Sequence, residues 1–570
     1  MAATPDRRAT AVALVVVACA ALLAGSALLR PGFYDSHDGL LNVHRLFEFE
    51  KCLADGQIPC RWVPDMGAGY GYPLFNFYPP LPTAVAEGFR LLGASLLDAI
   101  KWAFLLGLVV GALGMFRLAS RFFGPAGAVL AAVLYVFAPY QAIDVFVRGA
   151  LGEAWGMALL PFVFLTGHRC LTEPGRALRH ALPCALSWAA LLLTHDIVAL
   201  MATPFYAAWL WVSWRTSRRS PGPAVLAHAL ALGLSAFFLL PLAFELHHVH
   251  ADTLTQLYPW ARFENNFLSV TQLLGAPRAW GYGALGSHNP MSLFIGRLHF
   301  LLGAGAIGIC AIAWLRERRV DASGAAALTL GSAALVAAFM ILPASRFVWE
   351  ATPPLSFLQF PWRFLAITSF GLAFAAGWLV YWTRNRGPIP LAIVALATIA
   401  AIATSWGWFR PSAMHVVQEQ VLANEREIAK ARHGLFDFLP RSVDLEHFLA
   451  SPPAALPPPP VHAPPGVSLS KLERTTNRIG FDARVRGDET ARVRINVFDF
   501  PGWTLEVDGR PENFAASDDR LGRLHLGLAP GSHRVVVRFE NTPIRSLANA
   551  VSLLSLVAAL LWTAAIIRSR

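Results

Sequence analysis

Charge is what this chain has little of. Of 570 residues, 15% are Asp, Glu, Lys or Arg and 55% are hydrophobic, with a mean hydropathy of +0.48; a soluble domain typically carries about 25% charge. Cysteine pairs at metal-binding spacing are absent. Cys19, Cys170, Cys184 and Cys310 each stand alone in or beside an apolar segment, where a small buried hydrophobe accounts for them, and no zinc site is expected. No internal repeat is visible, so one signature of transporters built from repeated halves is missing. Acids are outnumbered by bases, 36 to 47, for a formal charge of +11. The surplus arginines fall in short clusters between apolar blocks, as topology signals do, and this argues against a nucleic-acid partner.

What is present is a series of apolar blocks of roughly 17–23 residues, the length needed to cross a bilayer. The expected fold is therefore mainly α, a polytopic membrane protein of about 12 transmembrane helices with a small C-terminal extracytoplasmic β-domain. An N-terminal anchor at 11–29 (its small residues Ala24, Ser26 and Ala27 also suit a cleavable signal) precedes spans expected near 100–118, 126–140, 151–166, 178–194, 197–214, 224–246, 295–315, 325–342, 364–381, 389–408 and 544–567. Segments 40–54 and 81–92 read as interfacial helices. The second would reach only ~18 Å at 1.5 Å per residue, and counting it as a span would move every later arginine cluster (Arg117/Arg121, Arg169/Arg176/Arg179, Arg215/Arg218/Arg219, Arg316/Arg318/Arg319, Arg384/Arg386) to the outer face. Both termini are then cytoplasmic.

The expected organisation is a transmembrane domain at 1–410 with its first outer loop at 30–97, a helical segment and Pro-rich linker at 411–466, a β-domain at 467–541 and a closing helix at 542–570. In the β-domain, ARVRINVFDF, WTLEVDG and HRVVVRFE alternate with period two between PG, DG and PGS turns.

The first outer loop holds the densest polar chemistry. Asp35 and Asp38 bracket Ser36 and His37; such a pair can act as general base toward a hydroxyl or hold a divalent cation, and the structural alternative is a solvated turn in which Asp38, before Gly39 and an apolar-periodic run, N-caps the next helix. Arg45 follows on the next helix. Trp62 and Tyr72 offer rings that stack on sugars or pack the loop onto the bilayer surface. Cys52 and Cys60, eight positions apart across a DG turn in a compartment that permits disulfides, are expected to pair. Elsewhere the expected topology sends Arg148 and Glu153 (RGALGE), His195 and Asp196 (THD), Arg346 and Arg363 (FPWRF) to outer helix ends. Each has a structural alternative as ion pair, helix cap or interfacial anchor, but their convergence at one membrane face marks a site.

The assembled motifs SHDG, HR, DGQIPCRW, GYGYPLFNFYPPLP, RGALGE, THD and PWRF resemble the GT-C class of integral-membrane glycosyltransferases. Within it they resemble a bacterial and archaeal family labelled 6-pyruvoyl-tetrahydropterin-synthase-related, a label that implies no pterin chemistry here. The resemblance covers about residues 35–408, and FDFPGWTLEVDG resembles the outer β-module of related glycosylation proteins. It implies an enzyme of the cytoplasmic membrane that takes a polyprenyl-phosphate-linked sugar to a glycan, lipid or protein acceptor outside, with inversion. Asp38, together with Asp35, would be catalytic, and Arg148, Glu153, His195, Asp196 and Arg363 would surround the donor's phosphate and sugar. The sequence lacks the acidic DxD that would mark a metal site, which leaves a divalent cation open and names no other cofactor. Two rival readings are a lipid or glycolipid flippase, which would place ionisable groups near mid-membrane, and a non-enzymatic envelope-assembly scaffold using the β-domain.

Overall fold

The computed structural model of the chain describes residues 7–173, 177–251, 259–275, 279–281, 291–430, 438–450 and 455–568. Arg176 and parts of the expected helical segment and linker (431–434, 451–454) lie outside them.

Among the described residues, eight helices are long and apolar enough to cross a membrane, and the bent pair Gly222–Leu234 and Ala236–His248, turned by 70°, makes nine if counted as one span. This is a multi-pass membrane protein. The Leu96–Val136 helix contains both the 100–118 and 126–140 segments; at Gly124 the backbone leaves helical geometry (φ 71, ψ 178) immediately before Pro125. The chain reverses there. On either side of the break, the Phe122 carbonyl accepts from Ser323 Oγ and Gly127 packs on the Gly377 carbonyl, while Trp155 and Tyr135 bond across to Ala103 and Met157 near the opposite ends. Ala177–Leu192, with 16 residues, and Leu151–Thr172, which carries Glu153, His168 and Arg169, are helices at expected positions but fall outside the eight. The closing Pro543–Arg568 helix leaves Leu553, Leu554, Leu560 and Leu561 exposed, an outer face suited to lipid chains.

The first outer loop is not a free connector. Strand β1 (Phe33–Tyr34) pairs antiparallel with β2 (Met414–His415), which follows the Ile389–Ser405 helix. The Gly39–Ala54 helix and the 11-residue Leu81–Leu91 helix pack together, joined by the Arg90–Glu50 ion pair. Cys52 and Cys60 are joined by a disulfide across a turn in which Gly56 takes φ +73.

The C-terminal β-region holds a three-stranded antiparallel sheet, β3 (Val461–His462), β6 (Ala491–Phe498) and β9 (Arg523–Leu528) in the order β3-β6-β9. A five-stranded sheet runs β4-β5-β10-β7-β8, built from β4 (Val467–Thr475), β5 (Arg478–Val485), β7 (Trp503–Val507), β8 (Arg510–Glu512) and β10 (Gly531–Phe539). Alternate residues Val535, Val537 and Phe539 of β10 face inward beside Phe481, Ile479 and Trp503. The core they enter is shared: Trp62, Tyr70, Tyr72, Phe75 and Phe77 of the first outer loop pack into it, with Trp62 against Phe500, Trp503 and Phe539.

A buried polar knot ties this region to the membrane part. Glu245 accepts from Arg545 Nε at 2.8 Å, from Asn76 Nδ2 at 2.8 Å and from Thr542 Oγ1 at 2.6 Å, while Arg61 donates to Asn76, Asn549 and the Phe237 carbonyl. Arg545 is fully buried, so losing Glu245 would strand a cation away from water, a change that typically costs about 3–5 kcal/mol.

Candidate functional site

A cavity of about 270 Å³ opens where the first outer loop meets one end of the helix bundle. Its walls bring together Asp38, Arg45, Tyr72, Arg148, Glu153, His195, Asp196 and Arg363, which come from five separate stretches of the chain.

The loop is held to the bundle through backbone. The His37 amide donates to the Val147 carbonyl and the Asp38 amide to the Arg148 carbonyl at 2.7 Å, while Asn42 Nδ2 donates to Gly149 O at 2.7 Å. Gly149 is needed twice over. It takes φ +64, and a Cβ there would sit 2.6 Å from the Gly39 nitrogen. Asp38 precedes the Gly39–Ala54 helix in sequence, yet its side chain makes no capping hydrogen bond and its carboxylate lies exposed at the cavity wall. Beside it, burial pushes the His37 imidazole below its usual range, and its Nε2 donates to the Trp280 carbonyl at 3.1 Å.

Behind the cavity, residues Asp144–Arg148 form a π-helical turn that puts both side chains on one side, and they form an ion pair. Glu153, in the first turn of the Leu151–Thr172 helix, is the shared anion. Its Oε2 accepts from Arg148 at 2.7 Å and lies 3.5 Å from Arg363 Nε, and its Oε1 accepts from the Tyr140 hydroxyl. Arg363 sits in the Pro361–Phe364 turn, stacked on Phe360 and donating to the Leu358 carbonyl at 2.9 Å; Arg148 stacks on Trp362. Two arginines and two carboxylates thus neutralise each other in a place too buried for water to screen them.

Arg45 is different. Its guanidinium bonds Asn42 Oδ1 and the Tyr78 hydroxyl, both at 3.0 Å, and stacks 4.0 Å over the Tyr78 ring, and among the described residues it has no carboxylate partner. It brings an uncompensated positive charge to the cavity. His195 and Asp196 close the far wall in a link of three residues between two helices. His195 Nδ1 accepts from the Val198 amide as an N-cap and Asp196 Oδ1 from the Ile197 amide, so the expected capping role is present alongside a position on the cavity.

Two expected site residues lie elsewhere. Asp35 is outside the cavity lining, paired with His415 Nε2 at 2.9 Å on the β1–β2 ladder. Trp62 is 1% exposed inside the aromatic core of the β-region, so its ring is committed to packing and is not free to stack on a sugar. Tyr72 lines the cavity but is anchored, its hydroxyl accepting from the Phe438 amide. Arg346 pairs with Glu350 on the surface. Sequence reasoning missed Asp144, Tyr140, Tyr78 and Asn42. Asp144 and Tyr140 sit in an apolar run without a helical or strand period, and only the RG at 148–149 punctuates it.

Among the described residues, no three His, Cys, Asp or Glu side chains gather at metal-binding range. A divalent cation here would draw on Asp38 or Asp196 and on oxygens of a bound ligand.

No family model matches the chain. An uncharacterised protein of Lactococcus lactis subsp. cremoris is 23% identical over 243 residues, which is 40% of this chain and 39% of that relative. Among solved structures, the chain is similar to the oligosaccharyltransferase of Archaeoglobus fulgidus (12% identity, 70% of this chain and 55% of that one, TM-score 0.42). It is also similar to the arabinofuranosyltransferase AftD from Mycobacteria (17%, 73% and 29%, TM-score 0.44) and to ArnT from Cupriavidus metallidurans bound to undecaprenyl phosphate (14%, 75% and 75%, TM-score 0.39). The chain thus spans about half or less of the first two.

Proposed function

We propose that this protein is a membrane glycosyltransferase that moves a sugar from a polyprenyl-phosphate donor to an acceptor on the outer side of the membrane. The observation that carries the reading is the cavity itself, where an exposed carboxylate that caps nothing, Asp38, shares a wall with a cation, Arg45, that makes no ion pair among the described residues. A base on the aqueous side and a cation for an anionic leaving group are the two needs of transfer from a sugar phosphate.

The location fits a lipid-borne donor. The cavity lies at one end of apolar helices, and the arginines Arg316, Arg318 and Arg319 lie at the other end of the helix that begins at Arg297. By the bias of short cytoplasmic loops toward arginine, the cavity end is the outer one. Charges gathered at one end, instead of along mid-membrane, favour surface chemistry over transport.

In this mechanism the Asp38 carboxylate takes the proton of the acceptor hydroxyl. The hydroxyl oxygen bonds to the anomeric carbon from the face opposite the phosphate, the bond from that carbon to the phosphate oxygen breaks, and the lipid phosphate leaves with the electron pair. The configuration inverts. Arg45 meets the charge that develops on the phosphate, while Glu153 holds Arg148 and Arg363 in place as a rigid floor.

Asp38→Asn is the test. The substitution keeps size and removes basicity, and because the side chain caps nothing, folding should survive. With purified protein and a polyprenyl-phosphate sugar, transfer should fall about 10²–10⁴-fold while donor binding persists. Full turnover by Asp38→Asn would overturn the assignment.

A further inference from the structure

A second hollow, of about 480 Å³, lies on the same side of the bundle as the cavity but outside it. It sits between the start of the Arg297–Glu317 helix and the end of the Ile389–Ser405 helix, and Pro139, one residue before the Tyr140 that braces Glu153, forms part of its wall. Leu274, Phe294 and Leu298 supply apolar wall beside the polar side chains of His299, Thr404 and Ser405. Arg297 is the cation in that lining and no carboxylate shares it; among the described residues Arg297 makes no hydrogen bond or ion pair. Ser405, 2% exposed, also lines the hollow, and its hydroxyl bonds no described residue.

Below Arg297 the helix carries a smooth track. Residues 297, 301, 305, 308 and 312 share one face, spread over about 80° at 100° per residue. Leu301 and Ile312 are 66% and 52% exposed, and a Cβ added at Gly305 or Gly308 would meet nothing within 4 Å. The surface has a basic head position, a polar buried hydroxyl beside it and an unobstructed apolar path running down into the hydrocarbon. Headgroups at the interface carry the negative charge that such an arginine attracts.

We infer that this hollow is a second lipid-phosphate site, separate from the catalytic cavity, which takes a single-chain phosphate lipid with its head on Arg297 and Ser405 and its chain along Leu301, Gly305, Gly308 and Ile312. One cation matches one phosphate, and one narrow track matches one chain better than the two of a bilayer phospholipid. The inference rests on the lipid-phosphate part of the proposed function; its role would be to hold the carrier before or after transfer, across the Pro139–Tyr140 wall from the cavity.

The test is read without any sugar moving, so it can fail while Asp38-dependent transfer stands, and the reverse. Full-length protein in detergent is titrated with farnesyl phosphate, and native mass spectrometry counts the bound molecules. Arg297→Gln and, independently, Gly308→Leu, which fills the track from an open face, should each weaken one bound farnesyl phosphate about tenfold or more. Asp38→Asn should leave that molecule in place. Retention of wild-type binding by both variants would overturn the site. Displacement of the farnesyl phosphate by equimolar inorganic phosphate would overturn the lipid, and displacement by equimolar phosphatidylglycerol would overturn the single-chain preference; persistence against both supports it.

Discussion

Two kinds of arginine face the candidate site, and their surroundings set different tasks. Arg148 and Arg363 are buried to 7% and 9% exposure and spend their charge on Asp144 and Glu153. Arg45 spends its donors on neutral partners, Asn42 and Tyr78. Arg45→Gln should therefore leave the fold intact and raise the donor Kd, because a hydrogen bond to a charged group is worth roughly 1.5–3 kcal/mol. Glu153→Gln should instead lower thermal stability, since it leaves two buried guanidinium groups without their common anion. Isothermal titration with donor and thermal unfolding separate the two outcomes. The arginines were legible in the sequence because RG, HR and WR stand out against apolar neighbours. Which one lacks an ion-pair partner was not, because Glu153 is shared with Arg363 from a distant part of the chain, although the i,i+4 spacing of Asp144 and Arg148 is that of a helical ion pair.

Among the elements, the Leu81–Leu91 helix shows how a surface helix can be held by its polar face. Thr83 and Glu87 are buried and Arg90 reaches Glu50, so these polar side chains of the helix meet protein. Burial first, and the nearby Glu50 charge second, push the Glu87 carboxyl up to about 7. A carboxyl raised in the folded state adds stability below its unfolded value near 4.5, and that contribution is lost as pH rises toward 7. Glu87→Gln should accordingly raise the Tm at pH 8 and change it little at pH 5, as followed by thermal unfolding in detergent. The element boundaries were readable wherever a polar capping run, or proline with an aromatic and arginine pair, marked a helix end, as in THD and FPWRF. Inside Leu96–Val136 the Arg117/Arg121 cluster and the GP step at 124–125 separate the 100–118 and 126–140 segments, where the backbone breaks.

At the scale of the whole molecule, the period-two strands and the Pro-rich stretch before them suggest a module hung from the membrane part. The structure shows a shared core instead. Trp62, Tyr70 and Phe77 fill the space beside Phe498, Phe500, Trp503 and Phe539. Long-range packing of this kind cannot be read from spacing, because an aromatic in a loop looks the same whether it meets a sugar, a lipid surface or a sheet 400 residues away. A fragment comprising residues 461–541 alone should expose those rings, bind a hydrophobic dye and aggregate, whereas co-expression with the membrane part should rescue it. A monodisperse fragment with sharp amide dispersion by NMR would count against the shared core.

The knot around Glu245 has a consequence for how the protein is made. Arg61, in the loop that walls the cavity, bonds Asn549, 488 residues later, and Asn76 meets Glu245 only where Arg545 also arrives. At about 5–20 residues per second, a ribosome needs on the order of 25–100 s to supply that partner. Until the Pro543–Arg568 helix is made, Arg61 lacks its bond to Asn549 and Glu245 lacks those from Arg545 and Thr542. The nascent chain therefore carries its first loop from the start, while the buried knot that ties that loop to the Pro543–Arg568 helix is completed only several hundred residues later.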